Sequence, residues 1–266
     1  MKDLIFLKLG GSLITDKNVA HYARLEVIKR IAGEIAHTLQ VKPGMKLLVG
    51  HGSGSYGHIA AQKFNTIDGV KTPSEWRGFA EVGREARALN TIVMESLAQA
   101  GLPVITFSPC SQVTTRNHQV IQWEMTGINT ALKNGLLPLV YGDVVFDLQI
   151  GGTILSTEDL FEYLAAELKP ERILLAGIEP GIWQDFPDRR KIFKRITSHH
   201  LPSIDKHLAA SISPDVTGGM RSKVYSMLNL IESGYCHEVC IFSGQEDNSI
   251  FDAINGVCTG TMICLD

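Results

Sequence analysis

The residues able to do chemistry in this 266-residue sequence gather at a few glycine-bearing turns. Lys8-Leu9-Gly10-Gly11-Ser12 ends a short apolar run, and Lys17 follows within one more turn of chain. Paired glycines behind a buried strand let backbone N–H groups approach an anion closely, and a helix starting there adds a positive dipole. Two lysines flank this turn, although Lys8 also fits a plain edge lysine. A second turn, His51-Gly52-Ser53-Gly54-Ser55-Tyr56-Gly57-His58, follows residues 46–50. An imidazole just beyond the glycines, as His58 is, either donates to a phosphate as negative charge accumulates or packs as an ordinary core histidine. His51 lies nearer the strand and is the weaker candidate.

Downstream, Gly142-Asp143 and Gly151-Gly152-Thr153 lead to Ser156-Thr157-Glu158-Asp159. The Ser156-to-Asp159 spacing reads as a capping-box variant, which would make Asp159 a helix-start residue. Its rival role is to hold catalytic lysines or nucleotide-bound Mg²⁺ by charge. Last comes Asp215-Val216-Thr217-Gly218-Gly219-Met220-Arg221-Ser222-Lys223, a turn and helix start whose Lys223 is either solvated or compensates charge on a transferring phosphoryl group. None of these turns reads GxxxxGK[ST], which disfavours a P-loop. GSGSYG begins at the second strand without an acidic partner at the next, which disfavours a dinucleotide site.

Turns of this kind need strands to hold them. Short apolar runs at residues 4–9, 46–49, 104–107, 137–141, 172–175, 238–242 and 262–265 alternate with segments of helical periodicity at 24–39, 76–100, 158–168 and 221–233. That alternation predicts a mostly parallel sheet covered by helices on both faces, with ligands at the carboxyl ends of the strands. No repeat, low-complexity tract or linker interrupts it, so residues 1–266 are expected to form one domain. Its softer functional divide would separate an acceptor half, to about residue 168, from a nucleotide half at 169–266.

A net charge of −3 gives no general electrostatic reason to expect nucleic acid, so any anion site must be local. Five cysteines without CxxC spacing argue against a disulfide framework or a zinc site and favour a reducing cytoplasm. The apolar run at 4–9 is too short for a secretory leader or a membrane span.

Four motifs in order, KLGGSLITDK, HGSGSYGH, GDVVFD with LSTED, and DVTGGMRSK, resemble the amino acid kinase superfamily across nearly the whole chain. Within it, GSGSYGH with His58 and ITDK with Lys17 resemble the isopentenyl phosphate kinases, which make isopentenyl diphosphate from isopentenyl phosphate. The resemblance implies an open three-layer αβα sandwich with a mostly parallel central sheet, usually a homodimer, using ATP and Mg²⁺. The metal would be carried mainly by the ATP phosphates rather than by protein ligands. Lys8, Lys17, His58 and Lys223 would be the catalytic groups. Ser53, Gly54, His58 and Gly152 would bind the acceptor, isopentenyl phosphate or dimethylallyl phosphate. ATP would meet Lys8, Gly10, Gly11, Ser12 and Gly54 on one side, and Asp159, Gly181, Gly218, Gly219 and Lys223 on the other. An apolar pocket for the acceptor tail would draw on Trp76, Phe79 and Val82.

Three departures from the family pattern bear on acceptor choice and nucleotide contacts. Gly52-Ser53-Gly54-Ser55 stands for GGGS, Ser156-Thr157-Glu158-Asp159 for SGDD, and residues 176–182 for an acidic VDGV segment. Rival readings are a phosphonate kinase of the fosfomycin kinase type, another small-molecule kinase of the superfamily, and a nucleotide-binding regulator without catalysis.

Overall fold

The structure, a computed structural model, describes residues 3–16, 18–201 and 220–265. At its centre is an eight-stranded sheet. Its strands are β1 (Leu4–Leu9), β2 (Lys46–His51), β3 (Val104–Thr106), β6 (Leu137–Tyr141), β9 (Arg172–Gly177), β10 (Arg195–Ile196), β11 (Glu238–Ser243) and β12 (Thr261–Cys264). Their order is β10-β12-β11-β9-β1-β2-β6-β3, and only the β11–β12 pair is antiparallel. Strands from before residue 168 lie on one side of β1 and those from after it on the other.

The sheet is apolar on both faces because helices cover both. Along β1, Leu4 and Phe6 point into one core with α6 (Thr126–Lys133), α7 (Thr157–Leu168) and α8 (Met220–Glu232). Ile5, Leu7 and Leu9 point into the other, with α2 (Leu25–Val41), α4 (Pro73–Gln99) and α9 (Ser249–Ile254). The two-residue period of a strand therefore sorts one six-residue run between two cores. Local signals set the helix starts. Thr72 caps α4 by accepting from Glu75 N, with Pro73 in its first turn, and Ser156 caps α7 by accepting from Asp159 N.

Three features depart from the sequence reading. A second sheet, ordered β5-β4-β7-β8, is built from β4 (Val113–Arg116), β5 (Gln119–Trp123), β7 (Asp143–Asp147) and β8 (Gly151–Leu155). Its strands are short and part-exposed, and β7 starts two residues after β6 ends, so their patterns merge with neighbouring turns. The glycine-dense stretch after β2 is a loop only to Ser53, since α3 spans Gly54–Phe64. Finally, Cys240 and Cys258 are joined as a disulfide, which corrects the expectation of none. One partner lies on β11 and the other in the segment before β12, a proximity created by the antiparallel pairing of those strands and invisible in cysteine spacing.

Candidate active site

Parallel strands bring their carboxyl ends to one edge, and a cavity lies there. Its walls include Lys8, Gly10, Gly11, Ser12, Gly52, Ser53 and Gly54 from the ends of β1 and β2. Gly177 ends β9, Glu179 lies just beyond it and Phe242 is on β11, while Glu158 comes from α7, and Met220 and Lys223 from α8.

The two glycine turns touch through their backbones. A Cβ on Gly11 would stand 2.6 Å from Gly54 N, and one on Gly52 would stand 2.9 Å from Gly11 N. Gly54 also has φ +52°, and a side chain there would collide with Thr15. Thr15 ties the turns together, its hydroxyl donating to Gly11 O at 2.7 Å and accepting from Ser55 N at 2.9 Å. Among the described residues, the N–H groups of Gly11, Ser12, Ser53 and Gly54 find no backbone acceptor, which leaves them available to an anion.

Beside these amides Lys8 and Lys223 converge on one carboxylate. Lys8 Nζ pairs with Glu158 Oε1, and Lys223 Nζ lies 2.9 Å from the same oxygen. Burial opposes ionisation of Glu158, but Lys223 and Lys8 together outweigh it and hold the carboxyl well below the usual carboxylate range. Two ammonium groups thus share one carboxylate in the cavity wall.

Asp159 forms no ion pair with either lysine, although the Lys8 charge acts on its carboxyl. Its carboxylate accepts from Ser156 N at 2.7 Å and its own N–H donates to Ser156 Oγ at 3.1 Å, so it closes the capping box and stays out of the cavity lining. The capping rule contained this answer: once Asp159 is spent on the helix start, Glu158 is the carboxylate left to turn inward.

Of the other residues singled out by sequence, Gly181 lies outside the lining, where a Cβ would stand 2.6 Å from Thr261 Oγ1, so its smallness serves packing against β12. Gly152 is likewise off the cavity, with Phe79 against its α-carbon. Of the aromatic stretch on α4, Val82 lines the cavity with Ala61, Ala86 and Ile154, whereas Trp76 and Phe79 pack against each other and Phe146. Lys17, Gly218 and Gly219 lie outside the described residues, as does the side chain of His58, whose backbone is in the second turn of α3.

Two of the departures are accommodated by neighbours. Thr157 donates to His51 O at 2.6 Å and stands where a Cβ on residue 50 would be, so Gly50 makes room for it. Ser53 packs over Gly57 in the same way. Asp143, also in the lining, is sealed from solvent. Burial raises its pKa to about 6 against the opposing hydrogen bonds from Val144 N, Cys110 N and Ser108 Oγ.

This arrangement of lysines, open amides and a shared carboxylate is one that holds and transfers an anionic group. Residues 3–243 match the amino acid kinase family. The chain belongs to the amino acid kinase family. It is similar to the isopentenyl phosphate kinase of Methanocaldococcus jannaschii, at 35% identity over 98% of both chains. The isopentenyl phosphate kinase of Methanothermobacter thermautotrophicus is 30% identical over 89% of this chain and 90% of its own. Among solved structures, an X-ray structure of isopentenyl phosphate kinase superposes with a TM-score of 0.82 at 27% identity, covering 98% of this chain and 99% of the other. As a family kinase the chain is a phosphotransferase. Among the described residues no group of three or more His, Cys, Asp or Glu is placed to hold a metal ion, and no helix is long and apolar enough to cross a membrane.

Proposed function

We propose that this protein transfers the γ-phosphoryl group of ATP to isopentenyl phosphate, making isopentenyl diphosphate. The observation that carries the reading is the Lys8–Glu158–Lys223 cluster beside two touching glycine turns in one cavity, with an apolar end at Ala61, Val82, Ala86 and Ile154.

A phosphomonoester has a second pKa of about 6, so its attacking oxygen is already ionised at neutral pH and no strong general base is needed. The work left to the protein is to hold two mutually repelling anions in line and to neutralise the charge that spreads over the transferred group. Lys8 and Lys223 would supply that charge, and Glu158 would keep their ammonium groups apart and aimed. The backbone N–H groups of Gly11, Ser12, Ser53 and Gly54 would donate to the phosphoryl oxygens, and His58 and Lys17 would complete the acceptor and donor contacts. The donor set is cationic and amide-rich, which suits phosphate oxygens rather than a bare metal. Mg²⁺ would ride on the ATP phosphates and supply Lewis-acid charge there.

In this reading the strands up to residue 168 serve the acceptor and those beyond it the nucleotide. The enzyme works as a homodimer in the cytoplasm. A coupled ADP-release assay with Mg-ATP tests it, using isopentenyl phosphate, dimethylallyl phosphate, fosfomycin, glutamate and acetylglutamate as acceptors. Turnover should be fastest with the two C5 phosphates and should collapse in His58→Ala with the fold intact. Preference for fosfomycin or for an amino acid overturns the acceptor assignment, and ATP binding without turnover on any acceptor overturns catalysis.

A further inference from the structure

His51 is fully buried beneath the second glycine turn, and nothing in the transfer chemistry above uses it. Its ring lies nearly parallel to that of Tyr141, at 9° and 5.6 Å between centroids. Nδ1 stands 3.1 Å from Gly52 O, and Nε2 stands 3.2 Å from Asn90 Oδ1, while Asn90 Nδ2 lies 3.3 Å from Thr106 Oγ1.

Burial holds this ring below the usual histidine pKa, against the raising effects of its contacts with Gly52 and Asn90, so it is neutral and carries one proton. Gly52 O can only accept, which puts that proton on Nδ1. Nε2 must then accept, which requires the Asn90 amide to be turned over from the orientation with Oδ1 toward the ring, so that its NH₂ donates to Nε2 and its oxygen takes the Thr106 hydroxyl proton. Stacking and both hydrogen bonds therefore fix the ring, and the ring fixes the Gly52 carbonyl.

The Gly52–Ser53 peptide is trans, so its N–H points opposite to its C=O. With the carbonyl drawn to His51, the Ser53 N–H is turned away from the ring. It has no acceptor among the described residues, and both Gly52 and Ser53 line the cavity. We propose that His51 is a positioning residue: its Nδ1–H holds the Gly52 carbonyl so that the Ser53 N–H is aimed at the phosphate of the acceptor. This rests on the kinase reading for its choice of ligand.

Two substitutions separate positioning from plain packing. His51→Asn places an amide N–H near the Nδ1 position and keeps the bond to Gly52 O, whereas His51→Gln reaches toward Asn90 and loses it. Both disturb the core, so their thermal midpoints should fall similarly. Turnover should divide them, staying near parental in His51→Asn and falling about tenfold or more in His51→Gln, as when a charge-stabilising donor is misdirected.

A second readout needs no turnover. With ¹⁵N-serine labelling, and Ser53→Ala to identify the resonance, isopentenyl phosphate should shift the Ser53 amide in the parent and in His51→Asn but not in His51→Gln. Equal turnover in the two variants, activity that merely tracks the midpoint, or no Ser53 shift in the parent overturns the proposal. A parent that shows the Ser53 shift and its loss in His51→Gln, yet releases no ADP, sinks the kinase reading and leaves the role of His51 standing.

Discussion

Replacing Glu158 with Gln strips the negative charge from between two ammonium groups without changing side-chain volume. The carboxylate is only 13% exposed, and its partners Lys8 and Lys223 are 11% and 23% exposed, so solvent screens the cluster weakly. Breaking a buried ionic cluster typically costs about 3–5 kcal/mol. The partial exposure of Lys223 lets it reach water and puts the expected loss near the lower end, about 3 kcal/mol. Lys8 and Lys223 would also lose the carboxylate they share, and misplacement of about 1 Å in a transfer site costs on the order of a hundredfold in kcat.

The pH dependence has a definite sign. The folded-state pKa of Glu158 lies below its ordinary 4.5, so its stabilisation is fully present above that value and is lost as pH falls beneath it. Urea midpoints of parent and Glu158→Gln should therefore differ by a constant amount from about pH 8 to about pH 5 and converge in more acid solution. Asp159→Ala is the control: it should lose about 1 kcal/mol through the helix cap and keep parental kcat. If Glu158→Gln keeps both kcat and midpoint while Asp159→Ala loses kcat, the assignment of the two carboxylates is reversed.

Gly50→Ala would set a Cβ 2.5 Å from Thr157 Cγ2 and 2.7 Å from Phe161 Cε1, an overpacking that costs about 1–3 kcal/mol. Adding Thr157→Ala should recover part of that loss, and strictly additive urea midpoints would refute the compensation. Asp143 has a folded pKa raised from 3.8 to about 6, so the folded state gains stability as pH falls through that window. Asp143→Asn should consequently be more stable than the parent at about pH 8, by up to about 3 kcal/mol, with the gap closing below about pH 4, and a less stable variant at the higher pH refutes it. Val82→Ala should raise activity on longer prenyl monophosphates relative to C5, by roughly fourfold in kcat/KM per additional buried methylene at about 0.8 kcal/mol each. An unchanged ratio removes Val82 from the acceptor end.

Much of the architecture was legible in the chain alone, because a strand buried on both faces must be apolar along its length and the turn behind it must be small to admit an anion. The runs at 4–9, 137–141 and 238–242 lie within or coincide with β1, β6 and β11, and Lys8 with the paired glycines, Ser53 and Lys223 come from three distant segments to one cavity. Those are local properties, since each is written in residue type and spacing over a few positions. What the chain could not disclose depends on which distant atoms meet. Glu158 rather than Asp159 reaches the lysines because the helix cap consumes one carboxylate and tertiary packing aims the other. Gly181 and Gly152 look like ligand glycines yet lie against Thr261 and Phe79, since a missing side chain serves a close packing contact as well as a phosphate. His51 reads as the last residue of a strand, and only the stacking of Tyr141 and the approach of Asn90 from α4 turn it into a fixed donor under the glycine turn. Hydrogen bonds and ion pairs extend only a few ångströms, so sequence can nominate the groups that make them, whereas partnership is decided by the fold that brings those groups within reach.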